Sequence, residues 1–311
     1  MQNRFAVLAG NSNLPLAQRV SSHLDVSPVR ALIGRFKDGE VRIEILENVR
    51  GKDVYAMQSI CPPVNENLVE LLVMIDALKR ASASRITVVI PYYGYGRKDK
   101  KETPRAPITA KVVADLLSVA GADRVIAFDF HAAQIEGFFE IPVDHLSGIE
   151  VLLDDLKGSV PSEGVIVAPD AGGVERCRSL ASVLGMDLAI MDHRRGKNAL
   201  KSSIVGNVKG RRVVIVDDLV DTGRTLHRTV EAAMVAGAAR VDAYCVHAVL
   251  SGGAVDLLAG SALQSLVVTD TVPIGEKAFQ VLNLKTVSVA PTLAKVIRCV
   301  HLEESVSALF P

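Results

Sequence analysis

Short apolar runs alternate with longer amphipathic segments along most of the chain. Residues 213–216 are four consecutive β-branched residues, a pattern typical of a strand that is covered on both faces. Residues 67–83 carry apolar side chains at helical spacing and form the clearest predicted helix. Strands that alternate with helices in this way build mostly parallel sheets. The pattern therefore predicts an α/β fold, with further strands at residues 5–9, 41–45, 53–59, 88–91, 125–128, 165–168 and 189–191.

The two halves of the sequence share a repeated pattern. The tetrapeptide Val-Ala-Gly-Ala at 119–122 recurs at 235–238, which is an offset of 116 residues (235 − 119). The simplest physical account is a duplicated α/β domain. We therefore predict two domains, comprising residues 1–146 and 147–311.

Composition and charge narrow the class of protein. The 311 residues contain 35 Lys and Arg against 35 Asp and Glu, so no global field favours a nucleic acid or an anionic membrane as partner. No apolar run approaches the roughly 18 residues that span a bilayer. The four cysteines lie far apart and form no C-x-x-C pair, which favours reduced thiols in a cytoplasmic protein.

The stretch 213–226 places polar chemistry directly after a predicted strand. Asp217 and Asp218 follow the apolar run, and a Thr-Gly-Arg-Thr turn at 222–225 precedes a segment of helical character. Backbone N–H groups in such a turn and at a helix N-terminus attract phosphate, while carboxylates accept hydrogen bonds from sugar hydroxyls. We therefore predict a sugar-phosphate site. The simpler alternative, a strand ending in a solvated Asp-Asp turn, does not account for the additional groups that start at Asp221.

Two charged stretches have more than one interpretation. Phe36 stands among charged residues and is either a loop plug or a platform on which a flat base stacks, and these residues alone favour the plug. The basic run at 97–102 follows a predicted buried strand, where ligands of open α/β sheets bind. Such runs are commonly solvated faces. The position of this one strengthens the case for a polyphosphate clamp.

Histidine and glycine residues mark two other strand ends. His131 follows the predicted strand at 125–128 and is a candidate structural residue, metal ligand or phosphate contact. His247 occupies the equivalent place in the repeat, so at most one of the two is expected to keep a chemical role. The sequence Pro-Asp-Ala-Gly-Gly at 169–173 lets the backbone approach a ligand closely at a helix N-terminus. A second basic loop is expected at 192–198.

Several motifs resemble those of the ribose-phosphate pyrophosphokinase family, and the resemblance covers nearly the full chain. The most specific is Asp-Phe-His-Ala-Ala-Gln-Ile-Glu-Gly-Phe-Phe at 129–139, followed by Pro-Val-Asp at 142–144. Residues 213–225 are similar to the phosphoribosyl-binding segment shared with type I phosphoribosyltransferases. The other matching segments are 35–40, 91–95 and 169–173.

The resemblance implies a fold and a reaction. The fold is two tandem duplicated type I phosphoribosyltransferase-like domains, each with a mostly parallel sheet flanked by helices. The reaction is transfer of the β,γ-pyrophosphoryl group of ATP to the 1-hydroxyl of ribose 5-phosphate, giving 5-phosphoribosyl 1-pyrophosphate and AMP. Mg²⁺ is the implied cofactor. A cytoplasmic hexamer built from dimers is the implied assembly, with phosphate and ADP as candidate effectors.

The same resemblance assigns roles to individual residues. Ribose 5-phosphate would be held by Asp217, Asp218, Asp221, Thr222, Gly223, Arg224 and Thr225. ATP would be held by Phe36, Asp38, Glu40, Arg97, Lys98, Asp99 and His131, the first three reaching a neighbouring subunit's site. Mg²⁺ would be coordinated by His131 and Asp170. The transferring pyrophosphate would be stabilised by His193 and Arg195.

The second basic loop departs from the family pattern. Family members have a lysine, one further residue and then an arginine, whereas here His193 stands at the lysine position and Arg195 keeps the arginine. The loop that follows is also shorter than usual. An imidazole with an ordinary pKa near 6.5 is mostly neutral at pH 7, so the site loses a permanent cation. Two smaller departures are Lys98, where many members have glutamine, and Arg224, where many have glycine.

Two other classes of function compete with the synthetase. A non-catalytic paralogue that binds nucleotides and regulates a synthetase hexamer is supported by His193 and the shortened loop. The intact metal and sugar-phosphate residues count against it. A phosphoribosyltransferase, or a regulator that senses phosphoribosyl compounds, is disfavoured by the duplicated domain and by the Phe36 region.

Overall fold

The structure, a computed structural model, describes residues 5–160, 163–195 and 200–309; the side chains of residues 193–202 lie outside this description. Within these ranges the strands are β1 (Phe5–Ala9), β2 (Ala31–Arg35), β3 (Val41–Ile45), β4 (Asp53–Met57), β5 (Arg85–Ile90), β6 (Arg124–Phe128), β7 (Val143–Leu146), β8 (Val165–Ala168), β9 (Asp187–Arg195), β10 (Leu200–Val205), β11 (Arg212–Val220), β12 (Arg240–Ala248), β13 (Ser265–Thr269) and β14 (Leu284–Val287). The helices are α1 (Leu14–His23), α2 (Val64–Arg80), α3 (Thr109–Ala120), α4 (Gly148–Ser159), α5 (Val174–Leu184), α6 (Arg224–Val235), α7 (Ala254–Ala259), α8 (Glu276–Val281) and α9 (Ala290–Leu302). Among these described helices, none combines the length and the apolarity needed to cross a membrane.

The first sheet has the order β1-β4-β5-β6-β7, and each of its described pairings is parallel. Leu71, Met74 and Ile75 of α2 are fully buried and belong to the same apolar cluster as Val88 and Ile90 of β5. The antiparallel pair β2–β3 forms a separate hairpin. The first half of the chain therefore has the predicted helix-covered parallel sheet.

Helix α2 begins and ends earlier along the chain than predicted. The apolar pattern predicted a helix at 67–83, whereas the observed helix is Val64–Arg80. Pro63 occupies the N-cap position, where the fixed φ of proline suits the approach to a helix and its missing N–H leaves no donor unsatisfied. Ser82 takes a left-handed φ of 62°, which stops the helix from continuing.

The second sheet has the order β10-β9-β8-β11-β12-β13-β14, and β9–β10 is its antiparallel pair among the described strands. Val213 and Ile215 of β11 pack in one apolar cluster, while Val214 and Val216 pack in another. Successive side chains of a strand point to opposite faces, so both faces of this sheet are covered. The α/β fold class with mostly parallel sheets flanked by helices is confirmed.

The sequence repeat corresponds to a repeated structural unit. Helix α3 followed by β6, and helix α6 followed by β12, occupy corresponding places in the two sheets. Gly121 and Gly237 lie in the two helix–strand connections with left-handed φ angles of 117° and 89°. The two equivalent histidines differ, because His131 is exposed whereas His247 is buried with Nδ1 2.9 Å from the Thr271 hydroxyl.

The chain separates into two compact units, one formed by Met1–Ser147 with Ser288–Pro311 and the other by Gly148–Val287. The sequence-based division differs from this, since it placed all of 147–311 in the second domain. The second sheet is completed by β14, which ends at Val287, and the chain then returns to the first unit as α9.

Contacts of α9 explain why the C-terminal segment belongs to the first unit. Arg298 donates to the His23 carbonyl at the end of α1 at 3.4 Å, and Arg85 donates to the Val300 carbonyl at 3.0 Å. The ring of His301 lies 4.8 Å from that of Phe5. An apolar helix stripe identifies a buried face but does not specify which sheet buries it, so the sequence pattern did not specify this docking.

Asp53 links α9 to the first sheet. Its carboxylate accepts hydrogen bonds from Arg85 Nε at 2.9 Å and from the Tyr55 hydroxyl at 3.0 Å, and His301 Nδ1 lies 2.9 Å from it. Burial raises the pKa of Asp53, but hydrogen bonds from Arg85 and His301 outweigh it and hold this pKa below its ordinary value. The folded protein therefore favours the charged carboxylate.

Replacing Asp53 with asparagine is expected to lower the free energy of unfolding by about 2 kcal/mol at pH 7, because hydrogen bonds to a charged group contribute about 1.5–3 kcal/mol. Since the folded pKa is depressed, this contribution is present above the unfolded pKa of about 3.9 and is lost as the pH falls through the folded pKa. Urea unfolding measured from pH 7 downward should show that the difference in free energy of unfolding between wild type and Asp53→Asn becomes smaller below about pH 4.

The control for this experiment is Asp76→Asn, which removes an exposed ion pair with Arg80. Exposed pairs of this kind contribute about 0.3–0.5 kcal/mol. An equal decrease in the free energy of unfolding for Asp53→Asn and Asp76→Asn would contradict the assigned role of Asp53. A difference between wild type and Asp53→Asn that does not change with pH would also contradict it.

Candidate active site

The predicted sugar-phosphate turn lies between β11 and α6. Strand β11 continues to Val220, so Asp217 and Asp218 lie within it and not beyond its end as the apolar run suggested. Helix α6 begins at Arg224, with Gly223 as its N-cap at a φ of 73°. A Cβ at Gly223 would lie 3.2 Å from a Leu258 side-chain atom, so both conformation and space favour glycine here.

The remaining residues of this turn are mostly exposed. Thr222, Arg224 and Thr225 are exposed, and the last two open the first turn of α6. Asp221 is fixed by the Ser251 hydroxyl, and its carbonyl accepts the Ser251 N–H at 3.0 Å. Backbone N–H groups at a helix N-terminus have no partner within the helix and favour phosphate.

The two adjacent carboxylates have unequal surroundings. The Asp218 N–H donates to Asp217 Oδ1 at 2.9 Å, and Arg176 Nη1 donates to Asp218 Oδ1 at 3.0 Å. Burial raises the pKa of Asp217 well above its ordinary value, and the negative charges of Asp218 and Asp170 raise it further. Arg176 acts in the opposite direction. The pair is therefore a concentration of negative charge that a cation or a hydroxyl donor would stabilise.

Asp170 follows β8 in the glycine-containing turn that opens α5. Its Oδ1 accepts the Gly173 N–H at 3.0 Å, and Gly173 is the N-cap of α5. A Cβ on Gly172 would lie 3.3 Å from that same oxygen, so the turn packs closely around the carboxylate. The predicted strand–turn–helix arrangement is present. Asp170 is close enough to the acidic pair to raise the pKa of Asp217.

Phe36 lies at the tip of the β2–β3 hairpin. Its N–H donates to the Glu40 carbonyl at 2.8 Å, and the Glu40 N–H donates to Asp38 Oδ1 at 3.1 Å. The Phe36 side chain is 52% exposed, with the Arg42 guanidinium carbon 5.9 Å from the ring centroid. The loop-plug interpretation was wrong, because a tight hairpin turn carries its tip away from the core. Asp38 and Glu40 are exposed beside this ring.

The basic stretch after β5 is tied to the stretch after β6. Arg97 and Lys98 are exposed, and Lys98 pairs with Glu102. Asp99 is buried and accepts a hydrogen bond from Gln134, which lies in the 3-10 helix that follows His131. Asp99 therefore anchors one stretch on the other. Gln134 was not singled out from sequence, because a polar residue in a loop gives no signal of a distant partner.

The turn that carries His131 is fixed by contacts of the preceding residue, Phe130. Asp129 adopts a φ of 29°, and the Phe130 N–H donates to His145 Nε2 at 3.0 Å. The Phe130 ring lies 5.2 Å from Tyr93 and 4.8 Å from His145. These contacts leave His131 exposed at the carboxyl end of the first sheet. The supporting role of His145 was not found from sequence.

The predicted catalytic pair lies on an extended strand. Strand β9 runs through Arg195, so His193 and Arg195 are on a strand and not in the predicted loop at 192–198. Antiparallel pairing with β10 extends the strand, with His193 opposite Ser202. The side chains of His193 and Arg195 lie outside the described residues, as do residues 196–199.

The described part of the chain contains no group of three or more His, Cys, Asp or Glu side chains arranged to hold a metal ion. The proposed ligands His131 and Asp170 come from separate units of the chain.

Family models match both ends of the chain. The N-terminal domain of ribose phosphate pyrophosphokinase matches residues 5–121, and the phosphoribosyl synthetase-associated domain matches residues 191–311. The ribose-phosphate pyrophosphokinase of Ralstonia nicotianae is 49% identical over 307 residues, which cover 98% of this chain and 97% of that protein. The corresponding protein of Campylobacter jejuni is 48% identical over 308 residues, covering 98% and 99%.

A solved structure agrees with these sequence matches. The crystal structure of phosphoribosylpyrophosphate synthetase from Mycobacterium smegmatis has a TM-score of 0.92 and 39% sequence identity to this chain. The match covers 97% of this chain and 100% of that one. Sequence similarity and fold therefore agree over nearly the whole length, and the chain belongs to the ribose-phosphate pyrophosphokinase family.

Proposed function

We propose that ribose 5-phosphate binds to the strand–turn–helix segment of the second unit, while the residues that bind ATP lie mainly in the first. The enzyme transfers the β,γ-pyrophosphoryl group of ATP to the 1-hydroxyl of ribose 5-phosphate, giving 5-phosphoribosyl 1-pyrophosphate and AMP. The observation that carries the assignment is the acidic pair Asp217–Asp218 near the end of β11, which is followed by the turn that opens α6 at Arg224.

Ribose 5-phosphate is recognised through two kinds of contact. Asp217 and Asp218 accept hydrogen bonds from the ribose hydroxyls, for which ionised carboxylates are strong acceptors. The turn from Asp221 to Thr225 binds the 5-phosphate through backbone N–H groups, helped by the threonine hydroxyls. The exposed side chain of Arg224 can point outward, since the backbone supplies the main contacts.

ATP is recognised through the hairpin tip and the basic stretch. Adenine stacks on the exposed ring of Phe36, and Asp38 and Glu40 accept hydrogen bonds from it. Arg97, Lys98 and His131 contact the phosphates. Asp99 acts here through its bond to Gln134, which holds the basic stretch in place.

Mg²⁺ is the proposed cofactor, with Asp170 and His131 as its protein ligands, directly or through water. Mg²⁺ prefers oxygen donors and is commonly held by one or two carboxylates together with substrate phosphates and waters. Asp170 offers carboxylate oxygens beside an acidic pair, and these oxygens suit the ion. When bound, Mg²⁺ stabilises the negative charge on the transferring phosphates.

Cationic side chains would stabilise the transferring group. Phosphoryl-type transfer depends mainly on positioning and on charge placed where negative charge develops. Arg195 is the proposed permanent cation, and His193 supplies a second positive charge only when its imidazole is protonated.

The other function classes gain no support. The relatives that cover nearly the whole chain are named as pyrophosphokinases, and none of them favours a non-catalytic regulatory role. The duplicated architecture also differs from that of a single-domain phosphoribosyltransferase. An assay for AMP formation from ATP and ribose 5-phosphate tests the function directly: activity should require Mg²⁺ and disappear with EDTA. No AMP above background at high enzyme concentration would refute it.

Asp217→Asn is expected to raise the KM for ribose 5-phosphate by up to roughly tenfold, because an intermolecular hydrogen bond contributes about 0.5–1.5 kcal/mol. The KM for ATP should stay within about twofold of wild type, well below the tenfold that 1.4 kcal/mol represents. Initial-rate assays with each substrate varied separately measure both constants. Asp256→Asn, on an exposed pair with Lys277, is the matched control. A rise in the ATP constant alone would argue against the ribose assignment.

The assembly and the regulation of the enzyme are proposed from its membership of the ribose-phosphate pyrophosphokinase family. The enzyme is expected to form a hexamer built from dimers, to respond to phosphate and ADP, and to work in the cytoplasm. The four buried free cysteines agree with a reducing compartment. Analytical ultracentrifugation with and without phosphate tests the assembly, and a monomer at all concentrations would refute it.

A further inference from the structure

Arg176 is the cation closest to the acidic pair among the contacts described. It lies in the first turn of α5, and its Nη1 is 3.0 Å from Asp218 Oδ1 and 3.9 Å from Asp217 Oδ1. The Arg176 side chain is 20% exposed and that of Asp218 is 8% exposed. This ion pair is therefore largely withdrawn from solvent, unlike the surface pairs elsewhere in the protein.

Helix α5 holds Arg176 in a fixed position over β11. The next residue, Cys177, is fully buried, and its Sγ donates to the Val216 carbonyl at 3.5 Å, directly before the acidic pair. On the other side, the turn of Asp170 and Gly173 fixes the start of the helix. The first turn of α5, which carries Arg176, is thus anchored on both sides of this residue.

The contact makes the two carboxylates unequal. Asp218 has one oxygen bound to the guanidinium, whereas Asp217 has an oxygen bound to the Asp218 N–H. Without Arg176, two carboxylates would remain adjacent in a partly buried site with Asp170 nearby. Adjacent negative charges repel, so loss of this guanidinium would make the charged form of these carboxyl groups less favourable.

We infer that Arg176 is a positioning residue of the pyrophosphokinase reaction: it fixes the Asp218 carboxylate so that the acidic pair presents its remaining oxygens to the ribose hydroxyls. This inference rests on the proposed ribose role of Asp217 and Asp218. Arg176 acts through Asp218 and is not assigned a contact with substrate.

The chemistry of the guanidinium favours arginine over lysine at this position. Its planar donors can bind one carboxylate while still lying within range of a second, and the charge is retained at all relevant pH values. A lysine would restore the positive charge but not the fixed geometry. Arg176→Lys should therefore recover part, but not all, of what Arg176→Ala loses.

The test compares Arg176→Ala and Arg176→Lys with Arg178→Ala. Arg178 lies on the same helix, is 64% exposed and is 3.8 Å from Glu175, which makes it a matched surface control. Calorimetric titration with ribose 5-phosphate should show binding at least tenfold weaker in Arg176→Ala. Arg176→Lys should give an intermediate constant, and Arg178→Ala the wild-type one. Circular dichroism melting curves establish that each variant is folded.

Kinetics distinguish positioning from general damage. Arg176→Ala should raise the KM for ribose 5-phosphate at least tenfold and leave the KM for ATP near its wild-type value. In an Asp218→Asn background, Arg176→Ala should have a smaller additional effect, because the carboxylate at 3.0 Å is absent and only the one at 3.9 Å remains. Equal increases in the KM for ribose 5-phosphate and the KM for ATP would overturn the inference. Fully additive effects of Arg176→Ala and Asp218→Asn would also overturn it.

AMP formation by wild type tests the proposed function, whereas ribose 5-phosphate binding by Arg176→Ala tests the positioning role. If wild type forms AMP from ATP and ribose 5-phosphate while Arg176→Ala binds ribose 5-phosphate normally, the function stands and the positioning role is refuted. If folded wild type forms no AMP, the proposed function is refuted. In that case, weakened ribose 5-phosphate binding by Arg176→Ala would still support the contact, and unchanged binding would refute it.

Discussion

Replacing Asp242 with alanine is expected to lower the free energy of unfolding by about 3 kcal/mol or more, as is usual when one partner of a buried ion pair is removed. Asp242 is fully buried at the start of β12. Its carboxylate accepts hydrogen bonds from Arg212 Nε at 2.7 Å, from Arg240 Nε at 2.8 Å and from the Ser265 hydroxyl at 2.6 Å. The substitution would remove the carboxylate that the Arg212 and Arg240 guanidinium groups share.

Urea unfolding at pH 7 measures this loss, and Asp187→Ala provides the control in the same unit. Asp187 pairs with Arg211 at 2.6 Å but is 73% exposed, so its removal should change stability by about 1 kcal/mol at most. Equal destabilisation by the two substitutions would contradict the argument from burial.

The stability that the Asp242 ion network contributes is expected to decrease at low pH. Burial raises the pKa of Asp242, but the hydrogen bonds from Arg240, Ser265 and Arg212 outweigh it, so this pKa is lowered. The stability it contributes is therefore present above the unfolded pKa of about 3.9 and is lost as the pH falls through the folded value. Below about pH 4, wild type should lose stability more steeply than Asp242→Ala.

Replacing His193 with lysine is expected to raise turnover by up to roughly a hundredfold at pH 7 and above, since one well-placed charge in a transition state contributes about 3 kcal/mol. Lysine would restore the permanent cation that the family pattern has at this position. It should also flatten the dependence of activity on pH between pH 6 and 8, because an ordinary imidazole titrates in that range whereas an ordinary ammonium group does not.

Steady-state rates of AMP formation from pH 6 to 8 measure both effects. His23→Lys is the control, because His23 is exposed at the end of α1 and its replacement should leave rate and pH profile unchanged. An unchanged rate and profile in His193→Lys would show that His193 does not stand in for the catalytic cation. A smaller gain would indicate that neighbouring phosphates already keep the histidine protonated.

The ion networks and the candidate site lie at different ends of the strands. Asp53 and Asp242 stand at or near the amino ends of β4 and β12, where they connect neighbouring strands. Asp170 and the turn at 221–225 follow the carboxyl ends of β8 and β11. Substitutions in the first group are therefore expected to change stability, and those in the second group substrate binding. This division follows the rule that ligands of open parallel sheets bind beyond the carboxyl ends of strands.

Local patterns were sufficient to predict the α/β fold class, several strands and the turn between β11 and α6. The run at 213–216 predicted a buried strand because continuous β-branched residues need apolar cover on both faces. The turn at 222–225 predicted a phosphate site because its conformation depends on a glycine and a following helix, both of which are adjacent in sequence. These features rely on neighbours along the chain, so the sequence itself specifies them.

Only the tertiary structure decided which distant groups meet. The contact of Arg176 with Asp218, the bond between Gln134 and Asp99, and the docking of α9 on the first unit all join residues far apart in sequence. His131 and His247 match in sequence, yet one is exposed and the other is buried against Thr271. The sequence alone determined the family, several of the strands and the strand–turn–helix order at 213–226. Folding decided the partners of each charged group, because packing between distant elements, and not local pattern, fixes which charges are brought together.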